Sequence, residues 1–342
     1  MTIDKHEKRR RRLARRANLR YVTDRTPGFT RRRCGRGFVY VDAEGERVAD
    51  RQADRAKALV LPPAWEDVWI CSLARGHLQA TGRDARRRKQ HRYHDDWSEV
   101  TRRAKFDGLI RFGERLPELR RQVDADLRRH EPRLERTAAL AVAVMDQTGI
   151  RIGSREYARD NETPGVTTLQ KSNADIHTTF VELSFAGKSQ TQRTVRVQGR
   201  RLARHLAAVA RSPGEALLRY RRGDDWFDLD SHQVNNYLRQ ATGEQTTAKR
   251  FRTWLGSVTA FQAIRRAYAD GASPTQAARQ AVRESAGALG NTIAVARRHY
   301  IHPAVLELSA DEAARLSKGL DGYGYEAEQR GAVDAALLDL VS

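Results

Sequence analysis

Residues Arg133–Gln147 are nearly all apolar through the middle, with an unbroken run from Ala138 to Met145. That run is far too short to cross a bilayer, which takes about 20 residues. It closes on Thr148-Gly149, with glycine where helices stop. A helix apolar on every side is a buried helix, so other elements must be gathered around it. They are available downstream. Helical periods run through 202–211, 231–242, 251–270 and 274–289. Upstream, Ser98–Phe112 and Leu116–Arg129 read as two more helices, and the tail 309–342 reads as helical and comparatively acidic. Between them, Asp175–Phe185 and Arg193–Gln198 alternate around Gly187-Lys188-Ser189-Gln190, as in a β-hairpin near 176–198.

Before residue 100 the pattern differs. Short apolar runs at Tyr21-Val22, 37–41, 68–71 and 77–81 predict strands, with a short helix at Asp50–Val60. The fold class expected is α+β: a small β-rich domain over 1–99 and a mainly helical domain over 100–342. Residues 5–16, KHEKRRRRLARR, read either as a phosphate-tracking arm or as a solvated, frayed helix start.

Net charge is +20, and 54 of the 63 basic residues are arginine. Guanidinium forks match phosphate oxygens in pairs, so the excess points to a polyanion, most simply nucleic acid. The two cysteines, Cys34 and Cys71, make neither a disulfide framework nor a zinc spacing. The N-terminus is basic without an apolar core segment, so no secretory signal is read. A cytoplasmic protein without membrane contact is expected.

Four patches bear chemistry together. Tyr300 lies among Arg297, Arg298, His299 and His302, nine residues after Asn291. Arg151 follows the buried helix, Lys188 sits at the hairpin tip, and Arg252 opens a helix three residues after Lys249. Taken singly, each has an ordinary structural explanation. Taken together, they are what phosphoryl transfer without metal requires. Fixed guanidiniums stabilise charge on the non-bridging oxygens. An ammonium protonates the leaving oxygen, a phenol attacks, and an amide donates to the phosphate. An unbroken helix would put Asn291 and Tyr300 on opposite faces, roughly 13 Å apart. If both touch one phosphate, Asn291 precedes a short helix and Tyr300 follows it.

These residues, in TGIRIG, the hairpin, Lys249-Arg250-Phe251-Arg252 and Leu289-Gly290-Asn291 with Tyr300, resemble the catalytic set of the type IB DNA topoisomerases, in the bacterial and poxvirus-like branch. The resemblance extends through Pro62-Pro63-Ala64-Trp65, 76–84 and 89–94, so it covers nearly the whole chain. It implies a C-shaped clamp on double-stranded DNA, with catalysis by Tyr300, Arg151, Lys188, Arg252 and Asn291. Asn291 stands where viral and eukaryotic members have histidine. The implied DNA contacts are Gln90 and Tyr93 on a strand in the major groove, Tyr157, and Lys249. The resemblance also implies supercoil relaxation through a 3′-phosphotyrosyl intermediate, without ATP, metal or other cofactor, by a monomer. A tyrosine recombinase would share the catalytic set, but usually with His-x-x-Arg in place of Lys249–Arg252 and with a helical N-terminal domain. An architectural DNA-binding protein would need only the basic charge.

Overall fold

Helix α1 (Lys5–Arg16) takes up the basic stretch at the N-terminus. Its Leu13 and Ala14 are buried with Leu19 and Trp97, which fixes the helix to the body behind it. Arg10 and Arg11 lie 5.7 and 5.3 Å from the Tyr21 ring centre. The computed structural model describes residues 5–154, 164–187, 192–243, 246–320, 322–325 and 329–342. The chain divides into two compact units, Met1–Asp107 and Gly108–Ser342.

The first unit is built on an antiparallel sheet of β1 (Gly28–Cys34), β2 (Gly37–Val41), β3 (Glu66–Cys71), β4 (Leu78–Arg83) and β5 (Lys89–Tyr93), in the order β2-β1-β3-β4-β5. Helix α2 (Asp50–Ala58) covers it. Phe29, Ala56, Val68, Ile70 and Ala80 form the core between them. Strand β1 escapes sequence reading because Arg31-Arg32-Arg33 hides its alternation. Arg31 lies 4.2 Å over the Phe38 ring and donates to the carbonyls of Leu61, Pro62 and Trp65. The strand expected at Tyr21-Val22 does not form; Arg20 makes only an isolated bridge to Gly76.

Helix α3 (Asp95–Leu127) runs unbroken where two helices were expected. Phe112, Leu116, Leu119, Val123 and Leu127 are all buried along it, and this shared apolar stripe carries the helix past Pro117. The proline removes only one ladder bond. Gly113 makes room for Trp254, whose ring atoms would lie 2.3 Å from an added Cβ. Helix α4 (Leu134–Thr148) is the buried helix anticipated, ending on Gly149 at φ 58°, a left-handed stop that glycine adopts without Cβ strain.

The β-meander that follows has three strands: β6 (Ala174–Ile176), β7 (Phe180–Ala186) and β8 (Gln192–Gln198). The single strand expected over 175–185 is split because the chain reverses at His177, whose N–H donates to the Phe180 carbonyl. After α5 (Arg200–Ala210) comes the hairpin of β9 (Arg219–Arg222) and β10 (Asp225–Asp228). Its charged strands give no alternating apolar signal. Helices α6 (Ser231–Thr242), α7 (Lys249–Ala269) and α8 (Pro274–Leu289) complete the core, with α7 and α8 packed along each other. The short helices α9 (Ile293–His299), α10 (Pro303–Leu306) and α11 (Ala310–Leu316) follow, and α12 (Arg330–Val341) ends the chain. Among the described residues the tail is thus helical in two pieces.

Candidate active site

The site is assembled from the ends of helices. Arg252 stands in the first turn of α7 and is only 3% exposed. Its Nη1 donates to the Gly149 carbonyl at 2.5 Å and its Nη2 to the Leu289 carbonyl at 2.8 Å. Those acceptors lie at the C-termini of α4 and α8, where unpaired carbonyls and the helix dipole favour a cation. Arg151 is two residues past the Gly149 stop, and Asn291 is two residues past the last residue of α8. The Asn291 Oδ1 faces both guanidiniums, 3.3 Å from Arg252 Nη2 and 3.4 Å from Arg151 Nη2.

Tyr300 caps the C-terminus of α9, and Asn291 precedes that helix. The helix between them is therefore short, as a shared phosphate requires. Thr292 starts it by accepting from the Val295 N–H. At its far end the Tyr300 backbone lies against α7. A Cβ on Gly256 would stand 2.5 Å from the Tyr300 carbonyl oxygen, so glycine is what permits this approach. The Ser257 hydroxyl donates to the Thr253 carbonyl at 2.9 Å and accepts from the His302 N–H at 3.0 Å, which ties the chain two residues past Tyr300 to α7. The Arg252 guanidinium carbon lies 5.1 Å from the Tyr300 ring centre, within cation–π range.

Among the described residues the positive charge here has no carboxylate set against it. Burial lowers Arg252 from its ordinary value to about 10, and Arg151 and Arg193 push the same way, while Tyr300 opposes them. Burial likewise lowers Arg193 to about 10, with Arg151 adding to it. Both stay charged at neutral pH. Two buried donors, Arg252 Nε and Asn291 Nδ2, have no hydrogen-bond partner among the described residues. Buried polar groups are nearly always paired, so an orphaned pair beside uncompensated guanidiniums marks a seat for an anion. Arg151, Lys249, Arg252, Tyr300, Ser231 and Asn235 line a cleft of about 380 Å³. Larger hollows, about 670 Å³ beside Arg11 and Arg75 and about 490 Å³ beside Leu119 and Phe251, are not lined by Tyr300. Chemistry, not size, picks the site.

Of the residues expected from sequence, Arg151, Arg252, Asn291, Tyr300 and Lys249 come together. Lys188 and Tyr157 lie outside the described residues. Arg193 joins the cluster unannounced: within Gln192–Gln198 it is one arginine in an alternating strand, with nothing local to set it apart.

The sequence pattern of the eukaryotic DNA topoisomerase I catalytic core matches residues 94–323, and that of the bacterial DNA topoisomerase IB N-terminal domain matches residues 37–84. The chain belongs to the type IB DNA topoisomerase family. It is also similar to the DNA topoisomerase 1B of Acanthamoeba polyphaga mimivirus, 25% identical over 292 residues, which span 82% of this chain and 87% of the viral one.

The substrate of this topoisomerase is therefore DNA. No helix among the described residues is long and apolar enough to cross a membrane. The catalytic-core match stops at 323, yet α12 beyond it reaches the site's scaffold. Asp334 accepts from Trp254 Nε1 at 2.7 Å, two residues from Arg252. In the first unit of the topoisomerase, Gln90 and Tyr93 both lie on β5, an edge strand. Gln90 Nε2 donates to Asp84 at 2.9 Å, and the Tyr93 ring stacks on His91 at 5.8 Å.

Proposed function

We propose that this topoisomerase relaxes supercoiled DNA by transient cleavage of one strand, with Tyr300 as nucleophile. The Tyr300 oxygen attacks a phosphodiester. A P–O bond to the phenol forms, the P–O5′ bond breaks, and the strand is held as a 3′-phosphotyrosyl ester. The free 5′-hydroxyl end rotates and then attacks the ester, releasing Tyr300. Bond energy is kept in the ester, so the cycle needs neither ATP nor metal.

The observation that carries this reading is the convergence of Tyr300, Arg252 and Arg151 on one cleft, with Asn291 against both guanidiniums and two buried donors unpaired among the described residues. Arg151 and Arg252 stabilise charge that grows on the non-bridging oxygens. The Asn291 oxygen faces the guanidiniums, which leaves its Nδ2 to donate to the phosphate without changing charge. Lys188, placed by sequence alone, protonates the 5′-oxygen. Gln90, Tyr93, Tyr157 and Lys249 are the proposed contacts to duplex DNA. The enzyme works as a monomer on DNA in the cytosol.

The test is a plasmid relaxation assay in chelator, without ATP, alongside trapping of the covalent adduct. Wild type yields relaxed topoisomers and a 3′-linked adduct, and Tyr300→Phe yields neither. An adduct that persists in Tyr300→Phe overturns the assignment. Lys188→Ala slows cleavage of an ordinary strand far more than of one with a 5′-sulfur leaving group. Equal slowing removes the general-acid role.

A further inference from the structure

We infer that Arg193 is a positioning residue for the cleavage step, acting through Asn291. The inference rests on the mechanism proposed above and adds a component to it. Arg193 sits on β8, paired with Phe185, far in sequence from the residues it serves. Its Nη1 donates to the Leu289 carbonyl at 3.0 Å and its Nη2 to the Ala288 carbonyl at 2.8 Å. One planar fork thus spans two successive carbonyls at the C-terminus of α8. The stem lies against Gly290, where a Cβ would stand 3.1 to 3.3 Å from the side chain's Cδ, Nε and Cζ. Gly290 is the left-handed cap, at φ 59°, from which the chain turns into Asn291.

The Leu289 carbonyl is shared, for Arg252 Nη2 donates to it as well. Arg193 and Arg252 therefore grip one peptide from two sides, and that peptide sets the direction in which Asn291 leaves the helix. This placement is electrostatically unfavourable. Arg193 lies near the Arg151 guanidinium and is largely desolvated. A chain seeking stability alone would put a neutral donor here. The helix dipole and the two carbonyls offset part of that cost, and what the arrangement secures is a fixed Asn291 Oδ1 between two guanidiniums. A positional error near 1 Å in such a group lowers a rate by about 100-fold.

Single-turnover cleavage at saturating DNA tests this in Arg193→Ala, Asn291→Ala and the double variant. The expected result is slowing on the order of 100-fold for Arg193→Ala, with DNA affinity unchanged. The double variant is expected to be slower than the slower single variant by no more than about 3-fold, since coupled residues are not additive. Arg193→Lys keeps the charge but cannot bridge two carbonyls, so it restores only part of the rate. A wild-type rate for Arg193→Ala, fully multiplicative effects in the double variant, or full rescue by lysine each overturn the inference. Where the alanine variant fails to fold, Arg193→Gln replaces it in the cycle. An adduct in Tyr300→Phe defeats the nucleophile assignment instead, so the two failures are distinct.

Discussion

Two arginine clusters of the second unit are treated in opposite ways. Arg120, on α3, donates to Asp146 at 2.9 and 3.1 Å and to Asp334 at 2.5 Å. Tyr325 joins it, and Arg330 holds Asp146 from the other side. Burial works against the charge on Arg120, but the carboxylates outweigh it and raise its pKa above the ordinary value. Arg252 is more deeply buried, yet its pKa falls to about 10 and among the described residues only helix ends, Asn291 and Tyr300 attend it. A guanidinium cannot shed its proton at physiological pH. It must be given an anion or left wanting one. Arg120 was given two and is scaffold. Among the described residues Arg151 and Arg252 are left wanting one, which is what a seat for a phosphate in transit needs. The first unit shows a third treatment: His77, 1% exposed, has no counter-charge among the described residues, and its pKa falls to about 4 because of burial and then Arg10. Imidazole can discharge, so it does.

The contrast is sharpest in mutants. Arg151→Ala is expected to slow single-turnover cleavage by about 100- to 1,000-fold, the usual loss for one donor to a developing anion. Its melting temperature stays near wild type. Arg120→Ala is expected to destabilise the fold by about 3 kcal/mol, because it strips a buried carboxylate pair of a partner. Its folded fraction cleaves at the wild-type rate. Denaturant melts and cleavage rates check both; crossed outcomes would erase the distinction drawn here.

A smaller effect separates His77 from both arginine groups. Its folded pKa lies below the unfolded value, so the unfolded chain binds more protons between about 4 and 6.5. Stability from the neutral ring is present above that window and is lost as pH falls through it. From about pH 7.5 to about pH 5, wild type is expected to lose about 2 kcal/mol more than His77→Gln. Identical pH dependence in the two would mean that the ring is not held neutral.

The smallest effect comes from inorganic anions. Sulfate at several times its dissociation constant is expected to add about 1 kcal/mol to wild-type stability by binding at Arg151 and Arg252. Arg151→Ala lacks that increment, while a variant of the exposed pair Arg315–Asp339 keeps it. Equal gains in Arg151→Ala and wild type would show sulfate acting only by exclusion from the surface.

Sequence alone made much of this legible. The apolar run at 138–145, the Gly149 stop and the nine-residue spacing from Asn291 to Tyr300 are local signals, because burial, helix caps and short helices are specified by neighbouring residues. The charged strands β1, β9 and β10 were missed, and α3 was cut in two, because distant packing overrode what the neighbours imply: Arg31 capped three carbonyls from another loop, and Trp254 filled the gap at Gly113.

The site divides the same way. Residue types and their family spacing singled out Tyr300, Arg151, Arg252 and Asn291 as candidates, and the fold brings the four together. Only the tertiary structure could enlist Arg193, 96 residues from the Leu289 carbonyl it holds, or show which buried guanidiniums have carboxylates and which do not. Chemical identity is written in the order of residues. The balance of charge around a buried group depends on what lies beside it in space, and that is decided when helix ends from separate parts of the chain meet.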